Sequence, residues 1–139
     1  SVLADPVRGA LTAPESPLLG GAADLHTLYA TGQSWSFAQY AGNSRLKELA
    51  RLPDGTVLVL ERSRPGPSKD VYVASLRRLD IAACKTHRAC PTTQLATLPA
   101  GPDNFEGMAV LDNRHLLIVS DNGDAPARGT TFELIGFAP

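Results

Sequence analysis

Six polar residues of this chain could carry chemistry, because they stand next to two long apolar runs. One pair follows the first run, a second pair opens the strand that precedes the second run, and a third pair follows the second run: Glu61, Arg62, Asn104, Glu106, Asp121 and Asn122. Hard cations such as Ca²⁺ prefer oxygen ligands from carboxylates and amides, and arginine binds phosphate or carboxylate through two parallel hydrogen bonds. Such a set could bind a cation and an anionic group. Its concrete mechanism would be attack of a metal-bound water on a phosphate or carboxylic ester, with Ca²⁺ and Arg62 stabilising the developing charge.

Within this set we expect two overlapping roles. The catalytic residues are predicted to be Glu61, Arg62, Glu106 and Asp121, and the metal ligands Glu106, Asp121 and Asn122. Carboxylates held close together raise each other's pKa unless a cation neutralises them, and this is the reason for expecting Ca²⁺ as a cofactor.

Structural explanations for the same residues stay open. Glu61 and Arg62 could form an ion pair that links neighbouring units, because buried charges are generally paired. The segment from Asp121 to Asp124 could be no more than a turn, since Asp, Asn and Gly are turn residues. Glu106 could be an edge residue before a bulge glycine.

The elements that would position these residues occur twice in the chain. Residues 48–62 (ELARLPDGTVLVLER) and 107–121 (GMAVLDNRHLLIVSD) superimpose without a gap after a shift of 59 positions. Each copy is a short apolar strand, a turn, a continuous apolar strand and a charged end. Self-similarity at a fixed period indicates a repeat architecture. A β-meander with polar groups at one end of its strands is typical of a β-propeller blade.

The strand and turn pattern therefore predicts an all-β fold of about two four-stranded blades, at residues 46–98 and 105–137. The run at 57–60 fits a strand buried on both faces. Residues 34–41 alternate with period two and predict a further strand, with its aromatic residues on one face. Residues 1–24 show no sustained period and predict a loop or arm, which leaves 25–139 as the propeller part.

Aromatic residues and histidines add little to the functional hypothesis. Trp35, Phe37 and Tyr40 fit core packing better than a ligand platform, although the platform stays open. His26, His87 and His115 are scattered and share no metal-ligand spacing.

Composition excludes some classes of function. The chain has 13 basic and 14 acidic residues and a formal charge of −1, so nucleic-acid binding has little electrostatic support. No apolar run approaches the about 18 residues of a membrane span. The chain opens on a polar segment without a leader, as a mature secreted protein would.

Cys84 and Cys90 are the only cysteines, with the polar segment KTHRA between them. A disulfide between them would close a small ring and indicate an oxidising compartment. Free thiols and a metal site are the alternatives, and a metal site needs four ligands where only His87 lies nearby.

Three strings, LPDGTVLVLER, DNFEGMAVL and LLIVSDNG, occur in this order and resemble the C-terminal part of the phytase-like, or esterase-like phytase, family. The resemblance covers about residues 35–137. It implies an exported bacterial β-propeller with possible hydrolase activity on a small-molecule ester, and hence a periplasmic or secreted location.

A whole propeller of this family needs roughly twice this length, so we expect about two blades of a larger propeller. The expected partner is the remaining part of the propeller or a second copy of the chain, joined through the edges near Leu134 and Trp35. The alternative function is a non-catalytic binding or scaffold module, since one fold hosts many functions. That alternative is favoured if Glu61, Glu106 and Asp121 lie far apart or are each paired with an arginine.

Overall fold

The computed structural model describes residues 1–84, 89–121 and 129–138, and these consist of strands and loops. The strands are β1 Val2–Asp5, β2 Gly9–Thr12, β3 Leu25–Ala30, β4 Gln33–Ala38, β5 Arg45–Arg51, β6 Val57–Ser63, β7 Val73–Leu79, β8 Thr92–Thr97, β9 Asn104–Val110, β10 His115–Asp121 and β11 Phe132–Gly136. Within the described part of the chain, no helix is long and apolar enough to cross a membrane.

The strands form three antiparallel meanders in chain order. Sheet 1 contains β1 to β4, sheet 2 contains β5 to β8, and sheet 3 contains β9 to β11. The first strand of sheet 2, β5, packs against β1 on one side and β9 on the other. Three successive blades therefore stand side by side with their first strands innermost. The all-β, blade-like prediction is confirmed, but the described chain has three such units rather than about two.

The additional blade arises because residues 1–24 contain two strands in addition to loop segments. They contain β1 and β2, which pair from Val2 opposite Thr12 to Asp5 opposite Gly9 and join β3 and β4 in sheet 1. Each strand has only four residues, which is too short for a period of two to be recognised. The first blade consequently begins at Val2, and a boundary at residue 24 would divide it.

The apolar run of β6 is buried on both faces, as the sequence predicts. Val57 and Val59 belong to the core between sheets 1 and 2, whereas Leu58 and Leu60 belong to the core between sheets 2 and 3. Successive strand residues point to opposite faces, so one strand supplies both cores. Each of these side chains contributes about 1.5–3 kcal/mol by leaving water.

The equivalent run in β10 has a neighbour on one face only within the described chain. Leu116 and Ile118 pack against sheet 2. Leu117 and Val119 point the other way, and their cross-strand partners Leu134 and Phe132 are 59% and 65% exposed. We call Leu117, Val119, Phe132 and Leu134 the open face.

The disulfide between Cys84 and Cys90 is confirmed, with Cα atoms 4.5 Å apart. Cys90 is buried in the core between sheets 1 and 2, and its N–H donates to the Ser36 carbonyl of β4 at 2.6 Å. The bridge lies in the β7–β8 loop of sheet 2, and the Cys90 hydrogen bond connects this loop to the outer strand of sheet 1. His87 lies outside the described residues.

Candidate functional site

Two β-bulges place charged side chains at one end of the innermost strands. On β5, Lys47 is left without a cross-strand partner in the pairing with β6, and on β9, Glu106 is left without one in the pairing with β10. These residues are 59 positions apart, so they occupy equivalent positions directly before the two repeats. A bulge redirects the extra side chain. Here Lys47 Nζ lies 2.9 Å from Glu106 Oε1 and links the two strands.

Arg62 lies beside this pair because of its position on β6. The alternation that sends Leu58 and Leu60 toward sheet 3 sends Arg62 the same way. Its side chain is 9% exposed, and its guanidinium contacts the Asn104 side chain and lies 3.4 Å from Glu106 Oε1. The guanidinium also stacks over the Tyr72 ring at 4.8 Å.

These contacts fix the Arg62 guanidinium in one orientation. Asn104 Nδ2 donates to Glu106 Oε1 at 2.6 Å. The two side chains that accept from Arg62 are therefore also hydrogen-bonded to each other. Burial lowers the pKa of Arg62 below its usual value, although the neighbouring Glu106 opposes this effect. Arginine nevertheless stays charged in proteins, so a fixed cation lies at this end of the sheets.

Glu15, in the loop after β2, adds a second carboxylate from sheet 1. Its Oε1 lies 2.5 Å from Lys47 Nζ, 3.6 Å from Arg45 and 3.8 Å from Arg62. The hydrogen bond from Lys47 is the main reason that the pKa of Glu15 lies below its usual value. Four cationic side chains face two carboxylates here, which leaves an excess of positive charge: Arg45, Lys47, Arg62 and Arg64 against Glu15 and Glu106.

A cavity of about 200 Å³, which we call the arginine pocket, opens beside this cluster. Its lining residues are Asn43, Arg45, Arg62 and Arg64. Arg45 and Arg62 are cross-strand partners, and Arg64 stacks on the Tyr72 ring at 5.3 Å. Three guanidinium groups around a cavity favour a phosphate or carboxylate group, which arginine binds with two parallel hydrogen bonds.

Glu61 points to the opposite side of sheet 2 and lies in a different environment. It is fully buried, and its Oε1 accepts from the Tyr40 N–H at 3.1 Å and the Ser44 hydroxyl at 2.9 Å. His26 Nε2 lies 2.8 Å from the same oxygen, and Arg77 forms an ion pair with Oε2. These residues make a buried polar network between sheets 1 and 2.

The network keeps Glu61 ionised. Burial opposes ionisation, but the contacts with His26, Arg77 and the Tyr40 N–H outweigh burial and hold the pKa of Glu61 below its usual value. Arg77 also donates to the Ala38 carbonyl of β4 at 2.8 Å. A carboxylate fixed in this way joins two blades and is shielded from a ligand in the arginine pocket.

A comparison with protein families agrees with this architecture. The family model described as phytase-like, esterase-like activity of phytase, matches residues 2–124. The chain belongs to the phytase-like family. That family is a β-propeller, and the three sheets of this phytase-like chain are consistent with consecutive blades. No curated protein and no solved structure gives a significant match.

Among the predicted site residues of the phytase-like chain, Arg62, Asn104 and Glu106 come together. Glu61 does not join them, because neighbours on a strand point to opposite faces. Asp121 ends β10 directly opposite Asn104 in the sheet register. Asn122 lies outside the described residues.

Two of the three predicted calcium ligands, Glu106 and Asp121, lie among the described residues. The described part of the chain contains no group of three or more His, Cys, Asp or Glu side chains that could hold a metal ion. Glu106 Oε1, one of the predicted ligand atoms, already contacts Lys47, Arg62 and Asn104. The Ca²⁺ site at Glu106, Asp121 and Asn122 stays a prediction, because one of its three residues is not described.

Sequence reasoning missed Lys47, Glu15, Tyr72 and His26. A signal was present for Lys47, since it aligns with Glu106 in the repeat. His26 shares a strand face with Leu28, and this marks it as a buried residue that needs a partner. Glu15 and Tyr72 lie outside the strands, where a sequence pattern carries no information about side-chain contacts.

Proposed function

We propose that this phytase-like module binds the anionic group of an ester, a phosphate or a carboxylate, in the arginine pocket, and that the complete propeller hydrolyses the ester. The observation that carries the proposal is the placement of Arg62. Its side chain is nine-tenths buried, yet it lines the pocket and is held by Asn104, Glu106 and Tyr72. A cation held in place before binding loses little conformational freedom when the ligand arrives.

In this function each residue of the cluster has a physical role. Arg62 binds two oxygens of the anionic group, and Arg45 and Arg64 add charge at the rim. When the ester is attacked, negative charge grows on these oxygens, and guanidinium groups already aimed at them stabilise that charge. Glu106 acts as a positioning residue, because its carboxylate contacts the Arg62 guanidinium and keeps it oriented toward the ligand.

The test is substitution of the central arginine in the full chain. Arg62→Lys keeps the charge but loses the planar geometry that contacts Asn104 and Glu106. We expect the affinity for inorganic phosphate to fall about tenfold or more, since a hydrogen bond to a charged group contributes about 1.5–3 kcal/mol. Isothermal titration calorimetry measures this affinity. The control is Arg114→Lys, at an exposed arginine of the β9–β10 turn. Equal affinities in both variants would refute the proposal.

A non-catalytic binding module is the second candidate, and one observation favours it. Glu61 and Glu106 are each paired with an arginine, which is the arrangement expected when carboxylates serve structure instead of chemistry. Titration with phosphate and turnover of p-nitrophenyl phosphate by the complete propeller separate the two functions. Binding without turnover supports recognition alone.

The location outside the cytoplasm is part of the same proposal. The Cys84–Cys90 disulfide is compatible with an oxidising compartment such as the periplasm or the extracellular space.

A further inference from the structure

A second and larger pocket lies at the other end of sheet 2. It is a cavity of about 490 Å³ between the β1–β2 turn, the β5–β6 hairpin and the end of β7, and we call it the hairpin pocket. Arg45 begins β5 beside the arginine pocket, and Arg51 ends the strand at the hairpin pocket. This places the two pockets about 20 Å apart at about 3.3 Å per residue. Small-molecule sites usually measure about 300–1,000 Å³.

Two arginines of the hairpin pocket are fixed by one buried carboxylate. Asp5 has a fully buried side chain, and its Oδ2 lies 3.3 Å from Arg51 Nε and 3.5 Å from Arg8 Nη1. Its Oδ1 accepts the N–H groups of Val7 at 2.9 Å and Arg8 at 2.7 Å. One carboxylate thus orients two guanidinium groups from different blades, and Asp54 also interacts with the charges of Arg51 and Arg78.

Asp5 holds this arrangement in its ionised form. Burial opposes ionisation, but the N–H groups of Arg8 and Val7 and the charge of Arg51 outweigh burial and keep the pKa of Asp5 below its usual value. Gly55 supports the position of Arg51. It has φ of +94°, and a Cβ atom there would lie 2.8 Å from Arg51 Nη2, so glycine leaves room for the guanidinium beside the hairpin.

Arg78 brings a third guanidinium from β7. It is held on the side of sheet 3, where its Nη2 donates to the Ala138 carbonyl at 3.1 Å and its guanidinium lies over the Phe137 ring at 5.8 Å. The pocket thus combines three arginines from three different strands or turns, each fixed by contacts within the protein.

The rest of the lining differs from that of the arginine pocket. Val57, Leu79 and Ile81 supply buried apolar surface, and Asp54 and Asp80 supply carboxylates. A carboxylate accepts hydrogen bonds from hydroxyl groups, while guanidinium groups bind an anion. The mixture favours a ligand that carries both an anionic group and hydroxyls around a compact carbon skeleton.

We propose that the hairpin pocket binds a small hydroxylated organic acid of monosaccharide size, such as a sugar acid. The carboxylate of the ligand contacts Arg8, Arg51 and Arg78. Its hydroxyls donate to Asp54 and Asp80, and the less polar face of its ring lies on the apolar surface. This site is independent of the proposed ester function, because it shares no lining residue with the arginine pocket.

Calorimetric titration of the full chain with D-glucuronate tests the proposal. D-glucose, which lacks the carboxylate, and acetate, which lacks the hydroxyls, serve as comparison ligands. Ala82→Trp fills the pocket from an exposed turn position, and Ala83→Trp places the same side chain one residue outside its lining. We expect D-glucuronate to bind best and Ala82→Trp to weaken it about tenfold or more, with no change for Ala83→Trp. Arg78→Gln should weaken it similarly, since a charged contact is lost, and Arg114→Gln should not.

Two sets of results would contradict binding in the hairpin pocket. If D-glucuronate binds no better than D-glucose and acetate, or if both tryptophan variants bind alike with unchanged melting temperatures, the proposal is wrong. If Arg62→Lys weakens D-glucuronate while Ala82→Trp does not, the acid binds in the arginine pocket and the hairpin pocket is not its site.

Discussion

Glu61 and Arg62 are adjacent in the chain and were predicted to act together, yet their side chains lie on opposite faces of sheet 2. Both follow the apolar run of β6, so their order after that run decides which neighbouring sheet each one contacts. The structure brings the Arg62 side chain into contact with Asn104 and Glu106. Sequence adjacency failed for Glu61, because the direction of a side chain depends on which sheet covers each face, and only the assembled fold provides this information.

A substitution at Glu61 tests its structural role. Glu61→Gln leaves Arg77 buried without its counter-charge, and breaking a buried pair costs about 3–5 kcal/mol. We expect the free energy of unfolding to fall by about 3 kcal/mol in urea denaturation. Glu133→Gln removes an exposed carboxylate of β11 and should change stability by less than about 0.5 kcal/mol.

A double substitution separates loss of the pair from loss of packing. Replacing both members of a buried ion pair by apolar residues is often neutral. Glu61→Met with Arg77→Met should therefore regain a large part of the stability that Glu61→Gln loses. A double variant that is less stable than Glu61→Gln would show that the pair is not the main interaction.

Stability should depend on pH through the buried carboxylates. The pKa values of Glu61 and Asp5 in the folded protein lie below their ordinary values of 4.5 and 3.8. A depressed folded pKa contributes stability that is present above the unfolded pKa and is lost as the pH falls through the folded value. We expect the melting temperature to be highest above about pH 5 and to fall steadily below it.

The Glu61→Gln variant provides the control for this pH profile. It lacks one of the two carboxylates, so its melting temperature should decline less between pH 5 and pH 3 than that of the original protein. Parallel profiles in the two proteins would show that Glu61 does not contribute to the acid sensitivity.

At the scale of elements, the bulges of β5 and β9 determine the candidate site. In regularly paired strands without bulges, Lys47 and Glu106 would each have a cross-strand partner. The repeat predicted the strands themselves well, because an apolar run between turn residues is a strong signal. It did not locate the bulge of β5, since the position at which pairing skips a residue depends on both strands together. For β9 a bulge glycine was expected at Gly107, and the register shift falls at Glu106, directly before it.

Gly107 provides a test of the second bulge. A Cβ atom on Gly107 would lie 2.6 Å from Val119 Cγ1, so Gly107→Ala must displace β9 or Val119. Overpacking of this kind costs about 1–3 kcal/mol, and the shift should also reduce phosphate binding by moving Glu106. Urea denaturation and titration measure the two effects. Gly42→Ala, at an exposed loop position with no neighbour within 4 Å, should change neither.

At the scale of the whole molecule, the sequence predicted the type of blade better than the number of blades. The two blades with long apolar strands were found, whereas the first blade was missed because β1 and β2 have only four residues each. A strand of that length buries few side chains, and its stability comes from pairing with β3 and packing on sheet 2. These are tertiary contacts that no local pattern records.

The open face of sheet 3 supports the prediction that this chain associates with the rest of a propeller or with a second copy. Large apolar patches usually mark interaction surfaces. We expect the chain to associate at micromolar concentration and Phe132→Ser with Leu134→Ser to shift it toward monomer in sedimentation experiments. Val7→Ser, at a residue that is 77% exposed on the β1–β2 turn, serves as the control. A compact monomer for the original chain would contradict the prediction.

The alternation within β6 also gives the stack of sheets a direction. Sheet 2 contacts sheet 1 through Val57 and Val59 and sheet 3 through Leu58 and Leu60, so the two faces of a blade are different surfaces. If a second copy continues the stack in the same direction, the contact at the open face joins unlike surfaces, as in head-to-tail subunits. Such contacts either close into a ring or continue into a filament. A ring of two copies would contain six blades, and known propellers have about four to eight. If the contacts do not close into a ring, further copies add to the free end and form a fibre.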